Sequence, residues 1–241
     1  MSVAASSKGT PQSKRQQQML VLGIIAIVAV IAVVAVVLLS GQTGQTGIDF
    51  AAIPQSRMPD GGFVLGNPDA QITIVEFADY ACPACQQYEP TITRFIEEYV
   101  ATGKAKFEYR VFATAGGQQT VFAGGIAECL TNYQTDGFWV ARERFAQLAQ
   151  QGAYQDAPRT IASEMGVSYS DLLTCQQNSN RVRVDMAVGQ QLGIQGTPAV
   201  GIRYNDAAAP QFISYGGQVY DRGGVPFEVM AAVVDAANGS S

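Results

Sequence analysis

Cys82 and Cys85, separated only by Pro83 and Ala84, are the residues of this chain best placed to do chemistry. They follow the apolar run Ile72-Thr73-Ile74-Val75-Glu76-Phe77-Ala78 and open a segment, Gln86 to Val100, with amphipathic helical patterning. A thiol at a helix N-terminus faces unpaired backbone N–H groups and the positive end of the helix dipole, which favours its thiolate. A second thiol one turn on can close a small, readily reversed disulfide. The pair therefore reads as a redox centre.

No histidine occurs in the 241 residues. That excludes Ser-His-Asp and Cys-His catalysis, and zinc or haem sites held by histidine. Two further cysteines, Cys129 and Cys175, fall in predicted helices. Four cysteines allow three pairings. Local spacing favours Cys82 with Cys85 and Cys129 with Cys175. On loop-closure entropy the long loop contributes up to ~4 kcal/mol and the four-residue loop only ~2. Cys129–Cys175 is then the structural staple and Cys82–Cys85 the exchangeable bond. A zinc site of four thiolates is the alternative, but such sites usually use two Cys-x-x-Cys knuckles, and this chain has one. The redox reading needs no metal and no organic cofactor.

The elements that position these residues follow from patterning. Met19 to Leu39 carries no charge and no proline. As a helix it would span roughly 31 Å, matching a ~30 Å hydrocarbon core. Lys8, Lys14 and Arg15 precede it without an acid, so the positive-inside rule puts residues 1–18 in the cytoplasm and the remainder outside. A cleaved signal peptide is the alternative. Its apolar core would be shorter, about 7–15 residues, and the length here favours an uncleaved single-pass anchor in the cell membrane. Residues 40–60, rich in Gly, Gln, Thr and Ser, read as a flexible linker. The folded domain is expected over 61–241. Its strands are predicted at Phe63–Leu65, Gln71–Ala78, Lys106–Phe112, Ala199–Tyr204 and Gln211–Tyr215. Cys82–Val100 is a helix interrupted by Pro90, which should kink it. Helical patterning fills about 115–192, over Gln119–Tyr133, Gly137–Gln150, Pro158–Met165, Ser170–Gln177 and Arg181–Leu192, with Ser170 and Asn180 as caps. A last helix runs over about Pro226–Ala237. The order describes an α/β sandwich with a helical insertion. Beyond the three N-terminal basic residues, 12 Lys and Arg face 20 Asp and Glu, a charge of −8. Such a surface disfavours nucleic-acid partners.

Ile74-Val75-Glu76-Phe77-Ala78-Asp79-Tyr80-Ala81-Cys82-Pro83-Ala84-Cys85 resembles the active-site segment of DsbA-like thiol–disulfide oxidoreductases of the thioredoxin fold. Gly196-Thr197-Pro198-Ala199 resembles their second signature. The resemblance implies a central mixed sheet flanked by helices, with the inserted helical domain between the two motifs. It implies that Pro198 is cis and lies against the active-site disulfide, with Thr197 beside it shaping the substrate groove. The runs around Cys129 and Cys175 look like members with a second, structural disulfide in the insertion. Glu76 occupies the position of a buried acid beneath the active site, able to move protons to and from Cys85 through water. Pro90 matches a helix-kinking proline of the wider class.

The leading expectation is a disulfide oxidase. A substrate thiolate attacks an exposed Cys82 sulfur and releases Cys85, and a second substrate thiol resolves the mixed disulfide. The implied substrates are thiol-containing exported proteins, and the implied reoxidant is a quinone-linked thiol oxidase in the same membrane. Where strongly oxidising relatives carry histidine, this chain has Ala84. The Cys82 thiolate must then rely on the helix terminus, which makes a weaker oxidant. Thr197 points the same way, since the family uses threonine there in isomerases and reductases too. A reductase or isomerase is therefore the nearest alternative, although isomerases usually carry a dimerisation domain for which 40–60 is too short. A monomeric oxidase is favoured. A non-catalytic tethered peptide-binding module, with Cys82–Cys85 as a staple, is the alternative from another class.

Overall fold

The computed structural model describes residues 47–239. The expected cytoplasmic tail, membrane anchor and first part of the linker lie outside the described residues. No helix among the described residues is long and apolar enough to cross a membrane.

β3 (Thr73–Ala78) and β4 (Lys106–Val111) form the centre of a seven-stranded sheet, paired in parallel and buried at every position. The full order is β1 (Gln55–Arg57), β2 (Phe63–Gly66), β4, β3, β5 (Ala199–Arg203), β6 (Gln211–Tyr215), β7 (Gln218–Tyr220), with all other pairings antiparallel. Two of these strands are absent from the sequence reading. β1 and β7 are three-residue edge strands, too short and too exposed to carry a period-two signal.

β1 also corrects the linker. Phe50, Ile53 and Met58 are buried, and Gln55–Arg57 pairs with β2. The folded unit therefore includes residues 50–60, which composition alone assigned to a flexible stretch.

Side chains alternate across a strand. On β3 this sends Ile74, Glu76 and Ala78 to one face and Val75 and Phe77 to the other. The first face is covered by α1 (Pro83–Phe95), by α7 (Phe227–Gly239) and by a block of helices. That block comprises α2 (Gly117–Leu130), α3 (Gly137–Gln150), α4 (Ala157–Glu164) and α5 (Tyr169–Gln176). α6 (Arg181–Leu192) packs on the second face, over Val75, Phe77 and Phe112. α1 continues through Pro90, and its last turn, Ile96–Val100, widens to π-type pairing. The cap of α5 differs from expectation. Ser168, not Ser170, accepts the Asp171 N–H, and Asn180 precedes α6 without a side-chain cap bond.

Gly124 in mid-α2 permits close packing. A Cβ there would lie 2.4 Å from Val182 of α6 and 3.2 Å from Val111 of β4. Cys129 and Cys175 join α2 to α5 by a disulfide. Replacing both by alanine is expected to cost roughly 2–4 kcal/mol from loop-closure entropy, read as a lower urea midpoint. An unchanged midpoint would show that the bond does not constrain the unfolded chain.

Candidate active site

β3 ends at the turn Asp79–Ala81, which leads straight into Cys82. The Cys82 backbone is extended (φ −76°, ψ 120°), which makes it the N-cap of α1, with Pro83 in the first turn. Proline is well tolerated there because its missing N–H would have no helical partner. The Cys82 N–H donates to the Asp79 carbonyl at 3.0 Å. Pro83 and Ala84 are exposed. The Thr197–Pro198 peptide bond, from the loop before β5, is cis. It lies against the redox pair, and the Cys82 thiol donates to the Thr197 carbonyl oxygen at 3.4 Å.

Cys82 and Cys85 are free thiols. Both are mostly covered, at 8% and 6% exposure. This corrects the expectation of an exposed Cys82 sulfur, because the Thr197 loop packs over it. Their electrostatics nevertheless diverge. Burial opposes the Cys82 thiolate, but hydrogen bonds from Thr197, Cys85 and the Ala84 N–H outweigh it and hold the thiol below its ordinary pKa. Cys85 is pushed well above its ordinary value, first by burial and then by the nearby charge of Glu76. One thiol is thus suited to leave and to attack as a thiolate, and the other to hold its proton.

Glu76 is buried on the same sheet face, at 1% exposure. Burial pushes its carboxyl up to about 7, with Arg142 opposing and Glu89 adding to the rise. Arg142 of α3 reaches Glu76 at 3.4 Å, but its shorter bonds, 2.7 and 2.8 Å, go to both oxygens of Glu89 on α1. Glu76 therefore has only a partial counter-ion. An unfolded Glu76 ionises near its ordinary value and the folded one near 7. The preference for the folded state is full below the lower value and is lost as pH rises through the upper one. Glu76→Gln abolishes that loss. Relative to the parent, the variant should gain on the order of 3 kcal/mol of stability between about pH 4 and about pH 8. Parallel urea midpoints at both pH values would contradict this assignment.

A void of about 10 Å³ lies beside Cys85, lined also by Tyr80, Glu89, Tyr109 and Arg142. It has room for about one water. Two of its lining residues carry a buried polar atom without a protein partner, the Tyr80 hydroxyl and Arg142 Nε. A larger surface cavity of about 380 Å³ lies between α6 and the β5–β6 turn and contains no site residue. Its charged lining is committed elsewhere: Arg203 pairs with Glu108, Asp206 with Lys106 and Asp60 with Arg110.

The structure thus brings together Cys82, Cys85, Glu76, Thr197 and Pro198, and leaves Cys129 and Cys175 in the helical block. Sequence reasoning missed Arg142, Tyr80 and Thr114, and passed over Asp79. Arg142 had a signal. It interrupts the otherwise apolar stripe Phe138, Trp139, Ala141 and Phe145 of α3, and a lone charge on a buried face implies a buried partner.

A family model described as thioredoxin matches residues 59–212. The chain belongs to the thioredoxin family. Its similarity extends to the probable disulfide bond formation protein D of Bacillus anthracis, 27% identical over 164 residues, which covers 62% of this chain and 73% of that protein. The disulfide bond formation protein D of Bacillus subtilis is 26% identical over 161 residues, covering 63% and 71%. The crystal structure of Wolbachia pipientis alpha-DsbA1 superposes with a TM-score of 0.60 at 18% identity, over 74% of this chain and 92% of that one. That likeness concerns the fold. This member of the family is a thiol–disulfide oxidoreductase.

Proposed function

We propose that the protein is a membrane-anchored, extracytoplasmic disulfide oxidase that donates the Cys82–Cys85 disulfide to exported proteins. The observation that carries this reading is the opposed pair of thiols. The Cys82 thiolate is stabilised beside cis Pro198, while Cys85 is held protonated. An oxidant is a couple whose reduced form is stabilised. The names of the Bacillus relatives agree with this direction.

The cycle balances as follows. A substrate thiolate attacks Cys82 Sγ, the Cys82–Cys85 bond breaks, and Cys85 leaves. Its high proton affinity calls for a proton, which Glu76, the buried carboxyl whose charge bears on Cys85, supplies. A second substrate thiolate then attacks the substrate sulfur of the mixed disulfide and expels Cys82 as thiolate. The substrate is oxidised by two electrons and the protein becomes a dithiol. A quinone-linked thiol oxidase in the same membrane is the proposed reoxidant, and a shared bilayer raises the effective concentration of the two.

Ala84 offers Cys82 no charge, so an intermediate potential is expected. The potential of the Cys82–Cys85 couple, measured against glutathione, is the test. A value between ~−120 mV, as in strong oxidants, and ~−230 mV supports donation; one near ~−270 mV, as in thioredoxin, makes the protein a reductant and overturns it.

A further inference from the structure

Tyr88 lies on α1, one turn after Cys85, and is half-buried. Its hydroxyl donates to the Val225 carbonyl oxygen at 2.6 Å and accepts the Val225 N–H at 3.1 Å. Burial, and after it the charge of Glu76, holds the phenol above its ordinary pKa, so it remains a donor. Both main-chain groups of one residue are thus tied to one side chain. Val225 ends the loop 221–225, which leads from β7 toward α7. Gly224 of this loop lies on the Tyr88 ring, and a Cβ there would overlap ring atoms Cδ2 and Cε2.

The same loop reaches the strand that follows the cis proline. β5 pairs with β3 along its whole length, but with β6 only at Gly201 and Ile202. At Ala199 the place of β6 is taken by Gly223, through a parallel bridge. Bridged backbones lie about 5 Å apart. Ala199 follows cis Pro198, and the Thr197 carbonyl accepts the Cys82 thiol at 3.4 Å. The loop therefore runs from the helix that carries the redox pair to the segment that covers it. Asp221, Arg222 and Gly223 are exposed, as are Pro83 and Ala84 on α1 and Gln195 and Gly196 before Thr197. Cys82 itself is mostly covered. A polypeptide that brings its sulfur to Cys82 must lie over these neighbours, whereas a small dithiol needs only to present its sulfur.

We propose that Tyr88 is a positioning residue for polypeptide substrates: by fixing both main-chain groups of Val225 it holds the loop 221–225 beside the cis-proline strand, as one wall of the surface on which the substrate chain lies. The inference rests on thiol–disulfide exchange at Cys82–Cys85. A loop released from Tyr88 is in place for only part of the time, and a peptide that needs it binds more weakly by that fraction. The exchange step at the sulfur does not draw on the loop, so a reductant too small to touch it is unaffected.

Tyr88→Phe keeps the ring beneath Gly224 and removes both bonds to Val225. The oxidised full chain is mixed with excess of a peptide carrying two cysteines, and separately with dithiothreitol. In each case the reductant gives up two electrons and two protons and closes its own disulfide, and Cys82–Cys85 becomes the dithiol. In Tyr88→Phe the half-saturating peptide concentration should rise about three- to tenfold, the factor set by one ordinary hydrogen bond. The limiting rate with peptide and the rate with dithiothreitol should stay as in the parent. Amide hydrogen exchange should quicken at 221–225. Gly224→Ala, which drives the loop off the ring from the other side, should give the same split, and it reads the proposal where Tyr88→Phe fails to fold. An unmoved half-saturating concentration, equal slowing with both reductants, or a parent that does not saturate with peptide overturns the assignment of Tyr88 alone. A parent protein that neither reductant reduces removes the exchange chemistry and this inference with it.

Discussion

Cys82→Ser is expected to lower thiol–disulfide exchange by at least about 10³-fold, because a serine hydroxyl can neither form nor break a disulfide. The position explains why no neighbour can substitute. Cys82 receives the first-turn N–H groups of α1, which help hold its thiol below the ordinary value, and its thiol donates to the Thr197 carbonyl. Cys85 sits deeper and holds its proton, so it is a poor nucleophile at neutral pH. Cys85→Ser should behave differently. It keeps the attacking sulfur and removes its resolving partner, so attack of the Cys82 thiolate on a disulfide-bonded peptide, with release of one peptide thiolate, should leave a mixed disulfide that persists. Turnover of a dithiol peptide by Cys82→Ser, and gel analysis of adducts of Cys85→Ser with a disulfide-bonded peptide, read the two variants. Persistent turnover in Cys82→Ser would mean that the reactive sulfur has been misassigned. The fold should survive either change, since the Cys129–Cys175 disulfide lies elsewhere.

Arg142→Met is expected to destabilise the fold by about 3–5 kcal/mol near pH 8, the usual cost of stranding a buried charge. Glu76 is 1% exposed and loses its counter-ion, while Glu89, on α1, is only partly covered. The dependence on pH separates loss of charge from loss of packing. Below the value of about 7 to which burial raises it, Glu76 is protonated and needs Arg142 less. The destabilisation should therefore shrink toward about pH 5 and grow as pH rises through about 7. Urea midpoints at several pH values measure it. A cost independent of pH would show that Arg142 acts by filling space against Tyr109 and Phe107, whose rings lie 4.7 and 5.8 Å from its guanidinium carbon.

The two predictions concern residues of different legibility. Cys82 could be read directly, because its partner, its cap position and the strand before it are all local in sequence. Arg142 could not, because what it touches is set by how α3 lies across β3 and α1. The same division runs through the fold. The central strands and all the main helices showed in their periodicity, since burial on two faces or one imposes a pattern on neighbouring residues. β1 and β7 are short, exposed edge strands that gain their structure only by pairing with β2 and β6.

The chain's residues by themselves determined the reacting pair, the alternation that sends Glu76 to the face carrying α1, and the exclusion of histidine-based chemistry. Tertiary structure decided which distant groups complete the site: Thr197 115 positions along the chain from Cys82, Arg142 66 from Glu76 and Thr114 35 from Asp79. It also decided that Cys82 is covered rather than open. Spacing controls contacts within a turn or along one strand, where geometry repeats. Contacts between elements depend on strand register, loop closure and packing, which the whole chain settles together.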